Sequence, residues 1–448
     1  MPLWLRIETG GWFTNASQTI NLEEEPSPTI AAVGISSARR NGYWLEDDGM
    51  ESKVVPGDKP PYRVPSMAEV EAVPRNGFTV VSTFSGAGGS CLGYRMAGFR
   101  VAWANEFIPA AQEVYRLNHP TSILDTRDIR NIPPEDILKA TGMAVGQIDL
   151  FDGSPPCASF SLAGSRHKKW GQKKTYSDTE QRTDDLFFEY VRLLKGLQPK
   201  VFVAENVSGL VKGSAKGYFL NILAALKEAG YKVEAKVLDA QWLGVPQARQ
   251  RVIFVGVRKD LAPAPAFPKP LPYRYTVAEA IPWIVSVRRH SGSKSGGNYV
   301  QRWEPADGTV APTVTAKDAT LSPTAEFSNG GFVEAEADIS RFAIGEEWAK
   351  LHQGEKSERY LNLIRPSENA PCPTITAIGG NPSVAGVTHP TERRKFSIAE
   401  LKRICAFPDD FKLTGKYDQQ WERLGRSVPP LMMRAIASAV RDEILAKL

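Results

Sequence analysis

Cysteine is scarce: the 448 residues hold four, Cys91, Cys157, Cys372 and Cys405, none in a CxxC pair. That scatter excludes a disulfide framework and the common zinc sites, and it predicts reduced thiols. With only five histidines, no Cys–His partnership of the thiol-hydrolase kind stands out. No apolar run approaches the ~20 residues that span a bilayer, and the start, MPLWLRIETGGW, lacks the basic-then-apolar order of a signal peptide. A cytosolic protein is expected. A regular GxGxxG is missing too. The glycine-rich turn reads GAGGSCLG, which disfavours NAD.

What is present is an ordinary globular composition, 42% hydrophobic and 23% charged, in a length that suggests two or three domains. The net charge of +5 is unevenly spread. Residues 1–75 carry seven basic against eleven acidic side chains, leaving 48 against 39 in the remainder. A basic body with an acidic leader is compatible with a polyanion partner, and solvated surface charge accounts for it equally. The leader reads as an irregular extension. Its PSPTIAA resembles APTVTA at 311–316 and CPTITA at 372–377, either a reused device or the ordinary way in which edge strands begin.

The stretch IDLFDGSPPCASFSLAG, residues 148–164, organises the rest. An apolar run ends in a turn of Asp152, Gly153, Ser154, Pro155 and Pro156, and the two prolines withdraw two backbone donors. Cys157 is thereby presented at a strand's carboxyl end, where open α/β sheets place their ligands.

Upstream, the β-branched run Phe78–Thr83 leads to a glycine turn and a helix-compatible segment. Glycines let backbone approach a ligand, and the helix start offers free N–H groups. The next strand, Arg100–Ala104, ends in Asn105-Glu106-Phe107, so an acid stands about 20 residues after the turn, where it can accept from a ribose diol. Asp128 ends the third unit and could meet an adenine amino group. A loop acid or helix cap is the plain alternative for both.

Downstream, the basic stretch Ser161–Thr183 reads as a long loop suited to a lid. Asp184–Leu197 predicts a helix with Leu186, Phe187, Tyr190, Leu194 and Leu197 on one face. Lys200–Ala204 is another strand ending in Glu205-Asn206-Val207. After a strand at Tyr231–Leu238 comes QARQR, in which Gln247, Arg249 and Arg251 would share one face of an extended segment.

The succession FSGAGG, NEF, SPPCASFS, ENV and QARQR, in this order and spacing, resembles the cytosine-C5 DNA methyltransferase family over about Phe78–Val257 and again from Arg365 to the end. The resemblance implies an α/β fold: a Rossmann-like mixed-sheet methyltransferase core with a second, smaller target-recognition domain. It implies division into residues 1–75 (extension), 76–258 (core), 259–390 (target recognition) and 391–448 (return to the core). The implied nucleophile is Cys157, with Glu205 at cytosine N3 and Arg251, with Arg249 near it, at O2. The implied cofactor is S-adenosyl-L-methionine, held by Phe84, Ser85, Gly86, Gly88, Gly89, Glu106, Phe107, Asp128, Ile129, Pro156, Ser427 and Val428, with no metal. Arg426 departs from the family's GNxVPP-like pattern by replacing its asparagine, which removes the amide's hydrogen bonds.

By the same resemblance the partner is double-stranded DNA, with base flipping, a monomeric enzyme and no membrane; a cognate restriction endonuclease or a solitary methylase are both open. The 106 residues 259–364, with Trp283, Trp303, Trp348, Arg288, Arg289, His290 and Lys294, would house sequence recognition. An RNA cytosine methyltransferase and a non-catalytic DNA-binding relative are the rival functions. Retention of Cys157, Glu205 and both arginines argues against the second.

Overall fold

The computed structural model describes residues 59–156, 185–211, 215–282 and 334–448, together with the short strands Trp4–Arg6, Thr19–Asn21, Lys174–Tyr176, Thr179–Gln181, Arg288–Arg289 and Trp303–Glu304. Seven strands form the central sheet: β1 (Thr79–Thr83), β2 (Arg100–Asn105), β3 (Ile123–Asp125), β4 (Leu150–Gly153), β5 (Val201–Val207), β6 (Tyr231–Asp239) and β7 (Gln250–Arg258). Their order is β6-β7-β5-β4-β1-β2-β3. The strands from β3 to β5 pair in parallel, whereas β7 runs antiparallel to both β5 and β6. This is a Rossmann-like mixed sheet.

Near-continuous apolar runs explain the central parallel strands β1, β4 and β5, which are buried on both faces. Val80, Leu150 and Val203 belong to one apolar cluster, and Val81, Phe151 and Phe202 to the other. Helix α1 (Met67–Glu71) precedes β1 and carries a capping box of Ser66 and Glu69. Helices α2 (Gly89–Met96) and α3 (Pro109–Asn118) cover the first face, and α4 (Pro134–Thr141), α5 (Leu186–Leu197) and α6 (Lys216–Glu228) the second. The connections leaving β1 and β4 therefore go to opposite sides. A crevice opens between the carboxyl ends of these two strands, the usual ligand position in such sheets.

After the sheet come α7 (Val277–Ala280), α8 (Ala343–Trp348), α9 (Ile398–Ile404), α10 (Tyr417–Arg426) and α11 (Pro430–Glu443). Helix α11 packs on α2 so closely that a Cβ on Gly93 would lie 2.5 Å from the Cβ of Met433. Met433, Ile436, Val440 and Ile444 are buried, while Leu448, beyond the helix end at Glu443, is 51% exposed. A smaller apolar cluster of Ile339, Ile344, Trp348, Leu351 and Leu363 stands apart from the other two. The end of the N-terminal extension is ordered against the body: the Tyr62 hydroxyl donates to the Arg403 carbonyl at 2.6 Å.

One expectation differs from what is seen. Within the stretch read as a loop, Lys174–Tyr176 pairs antiparallel with Thr179–Gln181, where two threonines and a tyrosine suit a strand. In the third PT(I/V)xA copy, Cys372–Pro373 adds as a short strand parallel to Gln247–Ala248. The other two copies lie outside the described residues.

No helix among the described residues is long and apolar enough to cross a membrane. Cys91, Cys372 and Cys405 are free and buried.

Candidate active site

The carboxyl ends of β1, β2, β4 and β5 converge on the crevice. At the tip of β1, Phe84 adopts φ 53° and Gly86 φ 55°, so the chain turns sharply before α2 begins. An added Cβ on Gly86 would meet nothing within 4 Å. The peptide backbone is bare to the crevice there, as close approach to a ligand requires.

Glu106, at the tip of β2, is buried, yet both carboxylate oxygens are held. One accepts from Gly86 N–H and the other from Ile108 N–H, each at 2.7 Å. Burial raises the carboxyl's proton affinity in spite of these donors. The acid is neither a loose loop side chain nor a helix cap. Asp128 does act as a cap: it accepts from Arg130 N–H and pairs with the Arg130 guanidinium at 2.9 Å. Ile129 beside it is buried.

The far wall comes from the chain's end. A Cβ on Gly89 would lie 2.4 Å from the Val428 carbonyl oxygen and 3.2 Å from the Ser427 Cβ. The segment after α10 therefore lies directly over the start of α2. Arg426 points away from this contact and pairs with Glu422, one turn back, at 2.7 Å.

Beyond β4 the turn is described as far as Pro156; Cys157 lies outside the described residues, as does most of Ser161–Thr183. What holds the turn is visible. The Asn206 amide donates to the Pro155 carbonyl at 3.1 Å, and the Thr83 hydroxyl donates to the Asp152 carbonyl at 3.1 Å. The sequence gives Asn206 as the neighbour of Glu205 without hinting at this role.

Glu205 meets Arg251 from the adjacent antiparallel strand, Nε to Oε1 2.7 Å, with both side chains mostly buried. A partly buried pair of this kind orients both partners, since either alone would be left uncompensated. Arg249 does not join it. Buried to 2% exposure, it donates to the Ile375 carbonyl at 3.1 Å and to those of Gly425 and Ser427 at 3.0 Å each. Burial and the neighbouring Arg251 charge hold its guanidinium below the ordinary range. Gln247 is likewise buried, with its amide near the Cys405 sulfur at 3.4 Å. Gln247 and Arg249 both bond the Ile375 backbone, Arg251 meets Glu205, and the extended segment breaks at Arg249, between the Gln247–Ala248 strand and β7.

Beneath the turn lies a polar network that the motifs alone do not disclose. The Asp152 carboxylate accepts from the Ser82 hydroxyl at 2.8 Å and the Tyr94 hydroxyl at 3.0 Å. Burial, reinforced by the Glu205 charge, pushes Asp152 up to about 7.

The chain can be compared with known proteins on this basis. A model of the C-5 cytosine-specific DNA methylase family matches residues 78–442. The Type II methyltransferase M1.HphI of Haemophilus parahaemolyticus is 31% identical over 363 residues, covering 81% of this chain and 86% of that protein. Type II methyltransferase M.DdeI of Desulfomicrobium norvegicum is 29% identical over 395 residues, covering 81% and 88% respectively. Among solved structures, a putative DNA modification methyltransferase encoded within an E. coli prophage covers 82% of this chain and all 100% of its own, with a TM-score of 0.59 at 22% identity. That likeness concerns the fold. With the family match spanning the whole sheet, the crevice and the return segment, this chain belongs to the C-5 cytosine-specific DNA methylases and is a DNA (cytosine-5-)-methyltransferase.

Proposed function

We propose that the chain methylates carbon 5 of a cytosine rotated out of duplex DNA, with Cys157 as nucleophile and S-adenosyl-L-methionine as methyl donor. The observation that carries the reading is the Glu205–Arg251 pair, set beside a proline turn that Asn206 clamps one peptide bond from Pro156. An acid and a guanidinium so placed suit a pyrimidine edge that gains negative charge.

Carbon 5 of cytosine is a poor nucleophile. Addition of the Cys157 thiolate to C6 moves the ring's electron pair toward C5 and, in part, toward N3. A proton from Glu205 to N3 relieves that charge, and Arg251 supports O2. Free cysteine has a pKa of ~8.5, so the site must favour the thiolate or take its proton as attack occurs. The cofactor, when bound, supplies an electrophilic methyl group. Once C5 carries that group, loss of the C5 proton and departure of the thiolate restore the ring.

Glu106 is the residue to hold the ribose hydroxyls, since two backbone N–H groups fix its carboxylate. Phe84, Ser85 and the bare backbone of Gly86 line the same pocket, with Gly88 and Gly89 packed beneath it against His119 and Val428, Phe107, Asp128 and Ile129 at the adenine end and Pro156, Ser427 and Val428 closing it. Asp128 would have to share its carboxylate between Arg130 and the base. A cytosine stacked and paired inside a duplex cannot present C6 to Cys157, so the base must be extruded. Residues 259–390 are the unit we assign to sequence recognition, supported by their own apolar cluster. Arg289 pairs with Trp303 in a short antiparallel contact there, while Trp283, His290 and Lys294 lie outside the described residues. The names of the relatives support a modification role in a Type II system.

The test uses a duplex oligonucleotide carrying 5-fluorocytosine, whose fluorine cannot leave as the proton does. The wild-type protein with cofactor should give a covalent complex stable to denaturing gels, and Cys157→Ser none. Glu205→Gln should slow methyl transfer by about 10²–10⁴-fold while duplex binding persists. Undiminished turnover in Cys157→Ser would overturn the mechanism, and faster transfer to tRNA than to duplex DNA would overturn the substrate. Bisulfite sequencing of DNA from expressing cells would then read the modified site.

A further inference from the structure

Asp185 stands at the N-cap of α5, where an acidic side chain ordinarily accepts from the first turn of its own helix. It makes no such bond. Its carboxylate instead takes two bonds from the Arg130 guanidinium, Nη2 to Oδ1 at 2.7 Å and Nε to Oδ2 at 3.0 Å. The other arm of that guanidinium, Nη1, donates to both oxygens of Asp128, at 3.2 Å and 2.9 Å. Two turns into α5, Arg192 donates back to the carbonyls of Ile129 and Ile132, at 2.8 Å and 3.0 Å. The segment that carries Asp128 is therefore clasped to α5 from both sides.

We propose that Arg130, anchored by Asp185, is a positioning residue that sets the plane of the Asp128 carboxylate for the 6-amino group of the cofactor's adenine, and so makes this end of the pocket selective for that base. The inference rests on the assignment of Asp128 to adenine given above. The cap bond from Arg130 N–H holds one oxygen of Asp128, but the last torsion of an aspartate is broad, so one contact leaves the carboxylate free to swing. The guanidinium holds the second oxygen as well. Among the described residues these bonds occupy two acceptor positions on Oδ1 and one on Oδ2, out of about four on a carboxylate. A lone pair on Oδ2 is left for an amino group. An amine donates there, whereas a ring carbonyl or a bare C–H does not.

The anchor matters because a guanidinium paired with Asp128 alone could turn over the carboxylate and cover the lone pair that adenine needs. Two-pronged pairing with Asp185 fixes the plane of the guanidinium against α5. The neighbouring cation does not stand in for it, since Arg127 is engaged by Asp125 and Asp136. The backbone beneath is held separately, by Arg192 and by the burial of Ile129. Changing the Arg130 side chain therefore releases the carboxylate and leaves the turn in place.

The experiment is calorimetric titration of the full chain with S-adenosylhomocysteine and with its 6-deamino analogue, in which hydrogen replaces the adenine amino group, for wild type, Arg130→Gln, Asp185→Asn and Asp128→Ala. Wild type should prefer the amino compound by about tenfold or more, the range of a hydrogen bond to a charged acceptor. In Arg130→Gln most of that preference should vanish, while affinity for the deamino analogue stays within about twofold of wild type. Asp185→Asn keeps Arg130 but weakens its anchor, and should give an intermediate ratio. Its side chain is 41% exposed, so it carries the test should Arg130→Gln fold poorly. A merely structural role would weaken both ligands alike; an unchanged ratio in both variants, or tighter binding of the amino compound, would overturn the role of Arg130. A wild type without the preference, or Asp128→Ala that retains it, would instead overturn the assignment of Asp128, so the two failures are separable.

Discussion

Replacing Arg249 by methionine separates a scaffold from a catalytic role for this arginine. Methionine keeps the length and most of the volume but none of the donors. Three backbone carbonyls, those of Ile375, Gly425 and Ser427, would lose a partner now 3.0–3.1 Å away. A buried polar group left unsatisfied costs about 1–3 kcal/mol, but a carbonyl has a second lone pair and room to relax, so about 1.5 kcal/mol each is the fair figure. Against this, the variant no longer buries a cation, which returns about 1–2 kcal/mol. The net expectation is a loss of about 3 kcal/mol, falling on the segment that lies over Gly89. Urea denaturation followed by intrinsic fluorescence gives the stability. Calorimetric titration with S-adenosylhomocysteine gives the affinity, which should fall together with it. Lysine in place of Arg249 keeps the charge but reaches fewer carbonyls and should recover part of both. A stable variant with ordinary cofactor affinity and a defect confined to the chemical step would refute the scaffold reasoning and return Arg249 to the substrate.

Further expectations follow from the same contacts. Gly89→Ala places a methyl 2.4 Å from the Val428 carbonyl oxygen, and an overpacking cost of about 1–3 kcal/mol should appear as about tenfold or more weaker cofactor binding; unchanged affinity in a folded variant would count against the closeness of that lid. Asn206→Ala frees the Pro155 carbonyl and should slow adduct formation on the fluorinated duplex while gel-shift affinity for DNA stays the same; equal losses in both would point to a general folding defect. For Glu400, burial pushes the carboxyl up, but the two-pronged bond from Arg394, at 2.7 and 2.8 Å, overrides it and holds the group at about 2. The folded-state value being depressed, the unfolded chain binds this proton more readily, so the pair's contribution is complete above the ordinary carboxylate range and is lost as pH falls toward about 2. Glu400→Gln should flatten the acid side of the stability profile, and an unchanged urea midpoint series below about pH 5 would contradict the assignment.

Much of the sheet was legible because its evidence is local. The β-branched run before the glycine turn, the apolar stretch before the proline turn and the 3–4 spacing of Leu186, Phe187, Tyr190, Leu194 and Leu197 each report burial directly, and Val80–Thr83, Ile148, Leu150, Phe151 and those five helix residues are buried in the structure. Glu106 was legible as an acid at a strand tip, though its anchoring by Gly86 and Ile108 depends on two turns meeting. The partners of Gln247, Arg249 and Arg251 were not legible: alternation along a strand says which side chains share a face, not that the first two bond Ile375 and the third Glu205. Tertiary contacts of residues 372–375 and 425–427 interrupt this strand at Arg249.

By itself the sequence determined which elements form and which residue types stand at their tips: hydrophobic period and turn chemistry are properties of short segments, and the ordered motifs identify the family's chemistry. Only the tertiary structure decided which tips face one another. Arg251 reaches Glu205 across a sheet, and Arg249 binds carbonyls more than a hundred residues away. A single-residue slip in the pairing of β5 with β7 would turn Arg251 to the opposite face. Partnerships of this kind are fixed by the packing of the whole chain, and no window of sequence contains them.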